Sequence, residues 1–187
     1  MSVPKILPQV QPSAMDQRHI DLLRANIAQF LTRAGTSLVD SDTLLLEVAP
    51  QQCGGARQYF PAGVRWETLD INPLSGCTHI ADLCATNPHL PAGRYDVIVI
   101  TEVLEHTIDP FRATAELYRL LKPGGVLLLS TPFNLRIHGP LPDCWRFTEH
   151  GLRVLLQKFD IIEFDALETP DRPLMPIQYT VVASKPK

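Results

Sequence analysis

Two short stretches of the sequence gather the residue types that move protons or grip ligands. Glu102-Val103-Leu104-Glu105-His106 sets two carboxylates and an imidazole within five positions, directly after a β-branched apolar run. Thr131 to Thr148, after a second apolar run, carries His138, Asp143, Trp145 and Arg146. An imidazole titrates near neutrality and serves as a general base, which makes His106 and His138 the candidate catalytic residues. A histidine closing a helical turn can instead satisfy backbone groups, and that reading of His106 stands beside the catalytic one. Trp145 divides in the same way between stacking on a ligand ring and anchoring the helix cap that follows it. Arg146 suits an anionic group or a neighbouring acid. Cys144 has no activating motif around it and is set aside as a nucleophile. Asp70 and Asp82 each close a strand-like run, and Asp70 follows Glu47 by 23 positions. At the end of the second strand of a doubly wound sheet, an acid can accept hydrogen bonds from two ribose hydroxyls. The plain alternative for both is a solvated turn acid.

The elements that position these residues are marked by the absence of proline. None of the 17 prolines falls in residues 13–49, 92–109, 111–122 or 143–169. Ser13 with Asp16 three positions later forms a capping-box start, Ile20, Leu23, Ile27, Phe30 and Leu31 follow at helical spacing, and Gly35 supplies the expected stop. Runs 44–49, 65–71, 79–80, 95–100 and 126–130 read as strands, the later ones continuous and apolar as strands covered on both faces should be. Asp109 caps a second helix with Pro110 at its first position, and its stripe Phe111, Leu117, Leu120 and Leu121 ends at Lys122-Pro123-Gly124-Gly125. Thr148 caps a third, and 161–164 and 177–182 read as closing strands. This alternation predicts an α/β fold: a doubly wound, Rossmann-like sheet, mostly parallel with an antiparallel C-terminal strand and helices on both faces. Residues 1–12 read as a flexible arm and 13–187 as a single domain, as 187 residues allow.

Taken in order, Leu44-Leu45-Leu46-Glu47-Val48, Leu69-Asp70-Ile71-Asn72, Ala81-Asp82-Leu83, Tyr95-Asp96-Val97-Ile98, Glu102-Val103-Leu104-Glu105-His106 and Leu121-Lys122-Pro123-Gly124-Gly125 resemble a class I S-adenosylmethionine-dependent methyltransferase over about residues 43–160. The resemblance implies S-adenosylmethionine as cofactor, bound by Glu47, Ala49, Gln51, Asp70, Ile71, Asp82, Leu83 and Thr101. Within that set Asp70 takes the ribose, Asp82 and Leu83 the adenine, and Glu47 the methionine end. The first-strand loop departs from the family's Asp/Glu-x-Gly-x-Gly: Ala49-Pro50-Gln51 stand there, and Gly54 and Gly55 come late. The missing dinucleotide fingerprint counts against a nicotinamide cofactor.

Glu102, Glu105, His106 and His138 also resemble the metal-binding pattern of small-RNA 2′-O-methyltransferases and some quinone-pathway O-methyltransferases; a metal-free site is the expectation, with these four as ligands if a divalent cation is used. The segment Asp143-Cys144-Trp145-Arg146-Phe147-Thr148 resembles one in bacterial methyltransferases associated with polysaccharide assembly, which implies a small or sugar-like polar acceptor methylated on oxygen. A catalytically silent binding or regulatory protein is the alternative, favoured by the altered glycine loop. A net charge of −3 with scattered basic residues excludes duplex nucleic acid as partner. No apolar stretch approaches the ~20 residues of a membrane span. The early prolines and sparse cysteines place the protein in the cytoplasm with reduced thiols.

Overall fold

The computed structural model describes residues 11–50 and 55–187. The expected arm therefore lies almost wholly outside the described residues, as do Gln51 and Gly54. Seven strands form one sheet in the order β3-β2-β1-β4-β5-β7-β6: β1 (Leu44–Val48), β2 (Arg65–Asp70), β3 (His79–Ile80), β4 (Tyr95–Thr101), β5 (Leu121–Pro132), β6 (Asp160–Leu167) and β7 (Gln178–Ser184). The first five pair in parallel, and β7 inserts antiparallel between β5 and β6. This is the mostly parallel sheet with an antiparallel C-terminal strand that the sequence predicts. Leu45, Leu46, Val97 to Ile100 and Leu127 to Leu129 are all nearly inaccessible, because helices cover both faces of the central strands.

Helix α1 (Ala14–Ser37) covers one face, where Phe30, Leu31 and Ala34 pack on Leu45, Val97, Val99, Leu128 and Val182. Helices α2 (Pro110–Leu120) and α3 (Glu149–Leu155) cover the other, with Ala113, Leu117, Leu120, Leu152 and Leu155 against Leu46, Ile98, Ile100 and Leu129. The three predicted starts are present. Ser13 and Asp16 make a reciprocal capping box, Asp109 accepts from the Arg112 N–H, and Thr148 accepts from the Gly151 N–H.

Besides shifts of a few residues at the ends of β6 and β7, two boundaries differ from expectation. Gly35 does not stop α1, which runs on to Ser37; a Cβ at Gly35 would lie 2.3 Å from the Tyr59 carbonyl oxygen, so this glycine serves close packing instead. Strand β5 begins at Leu121 rather than after the Pro-Gly-Gly turn, with an irregularity in its pairing opposite Tyr95 to Val97.

Candidate active site

The candidate residues among those described, which exclude Gln51, collect at the carboxyl ends of β1, β2, β3, β4 and β5, the edge at which ligands bind in doubly wound sheets. They fall into two groups of different character.

The first group lies over β1 to β3. Glu47 is buried, and its carboxylate turns back into the fold. Its Oε1 accepts the Ala56 N–H at 2.6 Å and its Oε2 accepts the Trp66 indole N–H at 3.2 Å, while burial pushes the acid up. Gly55 has φ +54°, and a Cβ there would lie 2.5 Å from Glu47 Oε1. A late glycine is therefore required by this carboxylate as well as by the backbone. Ala49 takes a left-handed φ of +50° and donates its N–H to the Leu69 carbonyl at 2.7 Å, which turns the chain out of β1. Asp70 ends β2 with Oδ1 accepting the Asn72 N–H at 2.8 Å, and Asp82 does the same for Cys84 at 2.8 Å. Ile71 is strongly exposed beside Asp70, whereas the Leu83 side chain sits in the core. Thr101, half-buried, ends β4 opposite Ser130.

The second group follows β4 and β5. Glu102 leaves β4 at φ +54°, an unusual conformation for a residue with a side chain. A 3₁₀ turn, Leu104–His106, then buries Glu105 completely. The loop after β5 folds back over this turn, so that the Cys144 and Trp145 N–H groups both donate to the Glu105 carbonyl at 2.7 and 3.2 Å. The histidines meet edge to face with ring centroids 4.8 Å apart. His106 Nδ1 bonds the Pro142 carbonyl at 2.9 Å, which requires a proton on Nδ1. His138 Nδ1 lies 3.3 Å from the Arg136 carbonyl and 3.2 Å from Asp143 Oδ2. Both Nε2 atoms lie 3.7 Å from the same oxygen, Glu105 Oε1. Burial and the coulombic effect of His106 hold His138 below the usual imidazole range, against the pull of Asp143.

Among the described residues, Glu105 Oε1 and Oε2 and Glu102 Oε2 are buried side-chain oxygens with no hydrogen-bond partner. Desolvation raises Glu102 to about 7, against hydrogen bonds from Gln178 and Ser130. Desolvation and then the nearby Glu102 carry Glu105 well above the ordinary carboxyl range. The donor atoms of Glu105, His106 and His138 lie within 4.8 Å of one another. Glu102 is not part of that group: its Oε1 accepts from Ser130 Oγ and Gln178 Nε2, each at 2.8 Å, while its Oε2 has no partner among the described residues.

The neighbouring residues have structural partners. Arg146 grips both oxygens of Asp143 and donates to the Leu135, Arg136 and Trp145 carbonyls, the neighbouring-acid reading of this arginine. Trp145 stacks on Phe147 with centroids 6.1 Å apart and donates its N–H to the Thr107 carbonyl, while keeping 41% of its surface exposed. Sequence reasoning missed Ser130, Gln178 and Asn26, which connect to Glu102. A glutamine opening an otherwise apolar strand was the available signal for Gln178.

A parallel sheet closed by an antiparallel strand, acid-bearing turns over its first strands and a carboxylate–imidazole cluster after β4 and β5 are the features of a Rossmann-like domain. The chain belongs to the class I S-adenosylmethionine-dependent methyltransferase family: a family model described as a methyltransferase domain matches residues 57–161, more than half of the chain. Over 43 residues it is 46% identical to a probable S-adenosylmethionine-dependent methyltransferase of Mycolicibacterium smegmatis, covering 23% of this chain and 17% of that protein. Over 40 residues it is 48% identical to a ubiquinone biosynthesis O-methyltransferase of Psychrobacter cryohalolentis, covering 21% and 16%. These matches span about a sixth of the curated relatives' length. In fold it resembles the Burkholderia thailandensis 1,6-didemethyltoxoflavin-N1-methyltransferase, solved with S-adenosylhomocysteine, at TM-score 0.59 and 17% identity over 96% of this chain and 94% of that one.

Proposed function

We propose that this protein transfers the methyl group of S-adenosylmethionine to an oxygen of a small or sugar-like polar acceptor. The observation that carries the reading is the cluster after β4 and β5. Two imidazoles, each engaged through Nδ1, aim Nε2 at one buried carboxylate oxygen that has no hydrogen-bond donor of its own. Such a set suits the proton of an acceptor hydroxyl. The sulfonium C–S bond breaks as the acceptor O–C bond forms, S-adenosylhomocysteine leaves, and the hydroxyl proton passes to His106 or His138. The family model and the cofactor product bound in the Burkholderia fold relative support S-adenosylmethionine, and the name of the Psychrobacter relative supports an oxygen acceptor. On this reading Asp70 takes the ribose, Asp82 and Leu83 the adenine and Glu47 the methionine end, with Ala49, Ile71 and Thr101 also in the cofactor site; Gln51 lies outside the described residues.

The unpartnered Glu105 oxygens and the two free Nε2 atoms also fit a divalent cation, held by Glu105, His106 and His138. Such an ion would polarise the acceptor hydroxyl and lower its pKa. We place the protein in the cytoplasm acting on a small molecule and not on duplex nucleic acid. In support, Cys77, Cys84 and Cys144 are free thiols, and no helix among the described residues is long and apolar enough to cross a membrane.

Calorimetry with S-adenosylmethionine is the first test, and absence of binding up to about millimolar concentration would leave a silent binding protein as the reading. S-adenosylhomocysteine release is then measured with catechol and methyl glucoside as hydroxyl probes, with chelator and with added Mg²⁺ or Mn²⁺. Loss of release on chelation and return with the ion assigns the cation to Glu105, His106 and His138; with no chelator effect, a ~10²- to 10⁴-fold loss in His106→Ala or His138→Ala assigns the proton to that histidine, and full activity in both leaves positioning alone.

A further inference from the structure

Outside the segment that matches the family model, two residues reach the site through side-chain amides. Asn26, on α1, donates from Nδ2 to Gln178 Oε1 at 2.8 Å. Gln178, fully buried at the start of β7, donates from Nε2 to Glu102 Oε1 at 2.8 Å. A glutamine amide has one accepting and one donating end. By occupying the accepting end, Asn26 dictates that the donating end faces Glu102. Ser130 Oγ takes the same Glu102 oxygen at 2.8 Å, and the Glu102 N–H is tied to the Ser130 carbonyl at 3.0 Å. The result is a residue held in a left-handed backbone conformation with one carboxyl oxygen saturated and the other, Oε2, buried and unpartnered. Backbone outliers of this kind persist where the surroundings over-determine them, and they concentrate at functional sites.

The same helix also reaches the opposite wall. His19 Nδ1 lies 3.0 Å from the Asn134 carbonyl, and Asp16 pairs with Arg136 at 3.7 Å, both on the loop that leads to His138. One rigid element thus touches the supports of Glu102 and of His138.

We propose that Asn26 is a positioning residue: acting through Gln178, it fixes Glu102 so that Oε2 is presented to the ligand held beside Glu105 and the histidine pair, and α1 thereby sets the spacing between the two walls of the site. This rests on the methyl-transfer reading for the identity of the ligand, but the relay itself is read independently of turnover.

The test uses Asn26→Ala, Gln178→Met and the double variant, each saturated with S-adenosylhomocysteine. Asn26→Ala leaves the buried Gln178 Oε1 without its donor, a loss that alanine's helix preference offsets in part, so the melting temperature falls by about 2–8 °C with the fold retained. Its ¹H–¹⁵N spectrum moves the Gln178 side-chain amide and the backbone amides of Glu102 and Ser130. Turnover of the hydroxyl probe falls about tenfold, the scale of one hydrogen bond to a carboxyl group, while the KM for S-adenosylmethionine changes by less than about twofold. Because Asn26 acts only through Gln178, Asn26→Ala adds nothing in the Gln178→Met background. An unmoved Glu102 amide in Asn26→Ala, or additive losses in the double variant, overturns the proposal. Should the parent protein bind S-adenosylhomocysteine but methylate neither probe, the acceptor reading fails while the spectra still decide the relay.

Discussion

The two halves of the cleft solve opposite problems with the same kind of side chain. Over β1 to β3, each acid is tied into its own surroundings: Asp70 and Asp82 accept N–H groups two residues on, and Glu47 accepts one backbone and one indole N–H. After β4 and β5, three carboxyl oxygens are buried with no partner among the described residues. The first arrangement is ordinary turn chemistry and costs little stability. The second removes polar atoms from water with nothing in return, a cost of roughly 1–3 kcal/mol for each uncompensated group. Each such group calls for an account, whether an ordered water, an ion, a ligand or strain at a functional site. On the proposed reading, the first half is the cofactor scaffold and the second the reactive half.

The sharpest way to break this contrast is to neutralise Glu105. Glu105→Gln is expected to lower methyl transfer by the ~10²- to 10⁴-fold typical of a lost acid–base or ligand group while leaving cofactor affinity unchanged, as paired turnover and calorimetry would show. Retained turnover would reduce the cluster to packing.

Next in size is the pH response of the same half. Glu102 is raised to about 7 in the folded protein, above its ordinary value, so the folded state holds the extra proton between about 4.5 and 7. Its stabilising contribution is complete below that window and is lost as pH rises through it, at up to about 1.4 kcal/mol per pH unit for one such group. Urea unfolding at pH 5 and pH 8 should show this decline in the parent and a flatter profile in Glu102→Gln. Glu67, held at about 2 chiefly by Arg94, does not blur the comparison, since its contribution is lost only as pH falls towards 2.

The scaffold half is tested by Asp70→Ala. Loss of ribose hydrogen bonds, each worth about 1.5–3 kcal/mol when charge-assisted, should weaken S-adenosylmethionine binding tenfold or more with the fold intact. Cofactor affinity equal to that of the parent would remove Asp70 from the site.

The smallest effect is expected at the seam between loop and strand. Gly55→Ala places a Cβ against the Glu47 carboxylate at a left-handed φ and should cost about 1–3 kcal/mol in thermal unfolding. An unchanged melting temperature would show that Glu47 has another resting place.

How far the site was legible in the chain follows the same division. The strands, the three helix starts and the acids Asp70 and Asp82 were readable because apolar period, capping side chains and turn acids act over three or four residues. The altered loop after β1 was visible, as was His106 following β4. The sequence also put Glu102 beside Glu105 in one candidate ligand set; it could not show that Glu102 spends an oxygen on Ser130 and Gln178, 28 and 76 positions away. Nor could it tell that Gly35 is there to clear the Tyr59 carbonyl rather than to end a helix.

By itself, then, the sequence determined what local physics encodes: which segments become strands and helices, and which turn acids meet the cleft edge. Only the tertiary structure decided which polar atoms remain without partners and which way a buried amide points. Those properties belong to the whole set of neighbours that packing brings together. Asn26 and Gln178 are separated by 152 positions and become one relay only when α1 lies on the sheet and β7 inserts beside β5.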